Sequence, residues 1–166
     1  LLAPFAKSVL HATGDEFGWI ETAFSSGIIL GSVVVPFLKN KIGFSTVGYL
    51  CISGSGITIA WFALNQQIYT AYFIYGLLGF CLSIWALVMS ESQKITALDF
   101  QGRTQAVFNT ISSIGIVAIY LLVNAFSFEL PIQDFFYVAA VIMFFNVFLL
   151  WRFSSYKLSE EELSVV

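Results

Sequence analysis

Five apolar stretches of roughly 20 residues, each bounded by charge or turn chemistry, set the plan of the chain. They run from about Phe17 to Leu38, Thr46 to Leu64, Tyr69 to Ser90, Thr104 to Phe126 and Phe135 to Phe153. The first follows Thr13-Gly14-Asp15-Glu16, a capping-box pattern that offers a hydroxyl and a carboxylate to the first free N–H groups of a helix. Lys39, Asn40, Lys41 and Gly43 end that span, and Asn65-Gln66-Gln67 closes the second. A polar connector from Glu91 to Arg103 separates the third and fourth, and Glu129, Pro131 and Asp134 form the turn before the fifth. Membrane strands alternate in polarity over about ten residues, whereas these runs are twice as long and do not alternate. The pattern therefore predicts an all-α, polytopic transmembrane helix bundle. Leu1 to Ala12 is too short to cross and reads as the last turns of a truncated helix. The chain opens without Met, partway into an apolar stretch, as expected of a cut through a longer protein. Residues 1–153 form one transmembrane unit with no internal repeat, and residues 154–166 form a polar tail.

Composition supports lipid as the solvent. Of 166 residues, 58% are hydrophobic and 10% charged, against about a quarter charged in a soluble domain. A soluble core of this size has no room for so much apolar surface. A net charge of −3 leaves no basic stripe for phosphates, which excludes nucleic acid as a partner. Cys51 and Cys81 fall inside apolar runs and read as small buried residues, and His11 is the one histidine, so a His-based metal cluster is excluded. Nucleophile elbows, phosphate-binding loops and metal-ligand spacings are missing from the sequence, so no cofactor is expected. An integral-membrane enzyme would need a polar catalytic cluster at one interface, and only His11 with Asp15 and Glu16 comes near one.

Charge sidedness checks the spans independently. Six of the seven Lys and Arg residues fall on one side, with Lys39, Lys41, Lys94, Arg103, Arg152 and Lys157 there and Lys7 opposite. That positive side is expected to be cytoplasmic.

Helices in lipid associate through small residues and interhelical hydrogen bonds rather than through hidden apolar area. Ala23, Gly27 and Gly31 recur every four residues in the first span, a stripe that lets another backbone approach and a place where a bend is cheap. In the fourth span Gln105, Asn109, Ser112 or Ser113, Tyr120 and Asn124 share one side. Burying them in hydrocarbon costs kilocalories each, so the stripe is expected to face other helices or water. Tyr72, Gly76, Gly79, Ser83 and Ser90 make a milder small and polar side on the third span. The second and fifth spans carry few polar groups and are expected to face lipid. Two carboxylates stand apart. Glu21 lies about 10 Å into the first span at ~1.5 Å per residue; a carboxylate at such depth is a candidate for proton coupling if burial raises its pKa toward the working pH. Glu91, near Lys94 and Arg103 in sequence, is expected to hold the connector by ion pairing.

The order of elements resembles the carboxy-terminal half of the major facilitator superfamily of transporters over nearly the whole chain. The superfamily's basic loop has the form G-x-L-A-D-R-x-G, and Pro36-Phe37-Leu38-Lys39-Asn40-Lys41-Ile42-Gly43 is similar to it at Leu38, Lys41 and Gly43. Pro36 stands at the first Gly and Asn40 at the Asp, so the charge relay attributed to that motif is not carried over. Gln93 with Gln101-Gly102-Arg103 resembles the connector of superfamily drug and macrolide exporters. The resemblance implies helices eight to twelve of a twelve-helix carrier, with the second and fifth spans outermost and the amino-terminal half missing, so that this chain alone is not expected to transport. It implies proton-linked export of an amphipathic small molecule by alternating access, with Tyr72, Ser83, Gln105, Asn109, Tyr120 and Asn124 along the pathway. Uptake, lysophospholipid movement and a non-transporting scaffold are the alternatives. A plasma-membrane location, in a bacterium the inner membrane, follows with the tail cytoplasmic.

Overall fold

Every predicted apolar run is α-helix, because a backbone in lipid has only its own N–H and C=O groups to pair with. The computed structural model describes residues 2–126 and 131–163, with side chains through residue 150 and at Arg152. The helices are α1 (Leu2–Ser8), α2 (Gly14–Ile42), α3 (Phe44–Leu64), α4 (Ile68–Leu82), α5 (Ile84–Ile95), α6 (Leu98–Phe126) and α7 (Ile132–Leu163). Among the described residues five stretches are long and apolar enough to cross a membrane, with α4 and α5 together making one of them and α7 contributing Ile132–Leu150. Even the shortest full crossing helix, the 21 residues of α3, reaches about 30 Å at ~1.5 Å per residue, enough for the hydrocarbon core.

Helix ends differ from span ends in instructive ways. Thr13 caps α2 as its sequence predicts: the Glu16 N–H donates to Thr13 Oγ1 at 3.4 Å and the Thr13 N–H donates to Glu16 Oε2 at 2.8 Å. The basic loop after the first span is not a loop. Helix α2 continues through Lys39-Asn40-Lys41 to Ile42, and the reversal into α3 falls on Gly43 alone, at φ 86°. That left-handed backbone is open to glycine at little cost. Likewise the connector from Glu91 to Arg103 is mostly helix: α5 runs on to Ile95 and α6 starts at Leu98, so Gln101, Gly102 and Arg103 occupy its first turns. Hydropathy marks where lipid stops, whereas helix continues wherever good helix formers such as Gln, Arg and Lys follow. The polar tail begins without a break, since α7 extends past Ser154. Glu129 of the predicted turn lies outside the described residues.

Packing gives the order α2, α4, α3, α7 across the bundle. Helix α3 lies between α4 and α7 and has the largest buried share of the five spans, while Leu50, Ile57, Trp61 and Leu64 keep an exposed apolar face. Its two buried polar groups are satisfied within the helix, Ser55 donating to the Ile52 carbonyl at 2.8 Å and Thr58 to that of Gly54 at 2.9 Å, so they sit inside the bundle without a partner helix. Small residues do the rest. A Cβ at Gly54 would lie 2.8 Å from the Cys81 sulfur, and both cysteines are free and buried. Tyr49 ties α3 to α7 through a 2.9 Å bond to the Leu150 carbonyl. One apolar cluster gathers Phe5, Phe62 and Phe136 with ring centroids 4.9–5.5 Å apart, docking α1 on α3 and α7. A second joins Val35, Val47, Cys51, Ile84 and Leu87 near the basic end.

Candidate functional site

The seam between α2 and α4 is built from the small stripes of both. A Cβ on Gly27 would overlap the Gly76 carbonyl, one on Gly79 the Phe24 carbonyl, and one on Gly31 the Ser83 hydroxyl. Ala23 completes the row, its carbonyl 3.3 Å from where a Gly76 Cβ would be. The stripe is therefore a packing surface, and α2 passes unbroken through Gly27 and Gly31. The interruption falls on the partner instead. Between α4 and α5 the Ser83 N–H is shared between the carbonyls of Gly79 (3.2 Å) and Phe80 (3.3 Å), and the Ser83 hydroxyl takes the Phe80 carbonyl at 2.7 Å. A serine bonding back into the preceding turn loosens the regular ladder there. Sequence reading places Ser83 on a pathway; the structure buries it at this break.

Below the break α2 and α5 separate and leave a cleft of about 360 Å³, lined by Ser32, Pro36, Lys39, Ser83, Glu91 and Lys94 among others. Glu91 Oε1 accepts from Lys39 Nζ at 2.8 Å and from Lys94 Nζ at 2.7 Å. The expected ion pairing is present, but the cross-helix partner is Lys39 and not Arg103. Arg103 stacks over Phe100 at 5.7 Å and Lys41 over Phe37 at 5.2 Å, so the other two basic groups stay on their own helices. Nothing in local spacing foretells the Lys39–Glu91 pair, which needs α2 and α5 to be neighbours.

Helix α6 is held at its base. Gln93 donates to Gln105 Oε1 at 3.0 Å, and Gln101 donates to the carbonyls of Gln93 at 2.9 Å and Thr96 at 3.3 Å. Beyond that clasp α6 buries no residue. Gln105, Asn109, Tyr120 and Asn124 are exposed along it, so this polar side is not enclosed by the other described helices. Gly102 has open space around it. On α4, Tyr72 is half-buried with its ring 6.2 Å from that of Tyr69. Glu21 is exposed on α2, and on α4 the Tyr75 ring lies 4.9 Å from that of Phe24. The structure thus joins Lys39 to Glu91 and Gln93 to Gln105, and leaves Glu21 and the α6 stripe at separate places. Among the described residues no three His, Cys, Asp or Glu side chains gather where a metal ion would be held.

The sequence profile of the Major Facilitator Superfamily matches residues 1–165. The chain belongs to the Major Facilitator Superfamily. Comparison with curated proteins and with solved structures gives no match. Membership makes this an integral membrane protein of a transporter family, in keeping with its five crossing helices. The stretch that resembles the superfamily's basic loop is the helical end of α2, where Lys39 reaches across to Glu91.

Proposed function

We propose that this superfamily member is the carboxy-terminal half of a secondary active transporter, exporting an amphipathic small molecule in exchange for protons by alternating access. The observation that carries the reading is the unspent polarity of α6: Asn109 and Tyr120 are exposed and make no hydrogen bond among the described residues. In hydrocarbon each costs kilocalories, so the stripe is best used against a water-filled path between this half-bundle and an amino-terminal half. A non-transporting scaffold would instead consume these groups in hydrogen bonds within the bundle. Gln105 and Asn124 extend the same lining along α6, Tyr72 on α4 is a separate pathway candidate, and Glu21 is the proton-carrying candidate. The α2–α4 seam supports motion of the half-bundle as one body, because the two backbones pack in direct contact with no room for a side chain between them. The test is tracer flux into proteoliposomes holding the full-length carrier under an imposed pH gradient. Gradient-dependent movement of lipophilic amines or macrolide-like solutes is expected; flux that ignores the gradient for every solute tried contradicts the proton-linked reading.

A further inference from the structure

The cleft between α2 and α5 carries charge that its own residues do not balance. Lys39 and Lys94 converge on a single carboxylate oxygen of Glu91, so two ammonium groups share one negative charge. Lys39 and Glu91 are only 24% and 26% exposed and Lys94, at the mouth, is 64% exposed, so the Lys39 charge is screened less than one on open surface. Donors are also spare. Among the described residues the Asn40 amide and the Ser90 hydroxyl, both in the cleft wall, make no hydrogen bond. The hydroxyls deeper in the wall are already spent, Ser32 on the Ile29 carbonyl and Ser83 on that of Phe80. Along both helices the order is the same: charged and amide groups at the end, then Pro36 on α2 and Leu87 on α5 about 5–10 Å deeper, counted at ~1.5 Å per residue. A ligand matched to this wall has an anionic, hydrogen-bond-accepting head and an apolar continuation. The volume of about 360 Å³ far exceeds a bare phosphate ion.

We propose that this cleft binds the phosphodiester headgroup of an anionic membrane lipid, with Lys39 and Lys94 meeting the phosphate and Asn40 and Ser90 donating to its oxygens. Basic pockets between helices at a membrane edge are the usual seats for such groups. The site stands apart from the α6 stripe, so its occupancy is measurable whatever the protein transports. Glu91 tempers the site by claiming part of the positive charge.

The experiment counts lipids carried by the intact protein after extraction from bilayers of equal phosphatidylcholine and phosphatidylglycerol, using native mass spectrometry. Wild type is expected to retain phosphatidylglycerol preferentially. Lys39→Gln and Lys94→Gln each lower that preference about fivefold, and together they abolish it. Lys39→Arg with Lys94→Arg keeps it, which separates charge from fold. Glu91→Gln raises the preference, because it frees both ammonium groups. Equal retention by wild type and the double Gln variant overturns the proposal, as does loss of lipid on Glu91→Gln or in the double Arg variant. Displacement of the lipid by millimolar glycerol phosphate overturns it too, assigning the cleft to a soluble phosphate ester.

Discussion

Gly27 and Gly76 meet backbone to backbone, with no room at Gly27 for even a methyl group beside the Gly76 carbonyl. A side chain there must push two helices apart, since the obstacle is main chain and cannot rotate away. Packing of this kind supplies what the hydrophobic effect cannot supply inside lipid.

Gly27→Ala therefore lowers stability by roughly 1–3 kcal/mol, the range for overpacking a tight interior. Gly18→Ala and Gly48→Ala meet nothing within 4 Å and leave stability unchanged or slightly raised. Thermal unfolding in detergent compares the three; a Gly27 variant as stable as the Gly18 variant contradicts the interlock.

Gly43 tests backbone instead of space. A Cβ there would touch nothing, yet its φ of 86° lies where L side chains are strained. With ψ at 157° as well, Gly43→Val and Gly43→Asn each cost about 1–3 kcal/mol, because this region is essentially restricted to glycine. A melting temperature for either variant equal to that of wild type goes against that assignment.

The fold class and the spans were legible because apolar length is a direct record of hydrocarbon thickness. Thr13 with Glu16 and the Ala23-Gly27-Gly31 row were equally plain, since capping and close packing depend on residues near in sequence. What escaped depends on which helices are neighbours. Greasy sequence gives α3 an exposed apolar face at Leu50, Ile57 and Trp61, but its buried face, where Ser55 and Thr58 satisfy themselves, is set by α4 and α7 closing on both sides. The helix break falls at Ser83, beside Gly31 on the neighbouring helix. Lys39 finds Glu91 for the same reason, while Arg103, nearer to Glu91 in sequence, stacks on Phe100. The ends of α2 and α5 outran the hydropathy boundaries because charged residues at a membrane edge are still good helix formers.

The Lys39–Glu91 pair is about a quarter exposed on each side, so its worth is modest. A double-mutant cycle with Lys39→Met and Glu91→Gln yields a coupling of about 0.2–1 kcal/mol at low salt. At about 1 M salt the coupling shrinks, because screening then acts within about 3 Å. Coupling that is absent at low salt refutes a stabilising role for the pair.

Glu21→Gln separates movement from energy. The amide keeps size and hydrogen bonding but carries no titratable proton, so solute exchange across the membrane persists while accumulation driven by a pH gradient is lost. Retained gradient-driven accumulation moves the coupling role away from Glu21.

The central claim is that the polar flank of α6 borders water rather than lipid. With Cys51 and Cys81 replaced by Ala, single cysteines at Asn109 and Ile111 sit almost half a turn apart on that helix. A hydrophilic maleimide applied to the full-length carrier in liposomes is predicted to label Asn109→Cys readily and Ile111→Cys hardly at all. Equal protection of both positions, or labelling of Ile111→Cys alone, contradicts the account.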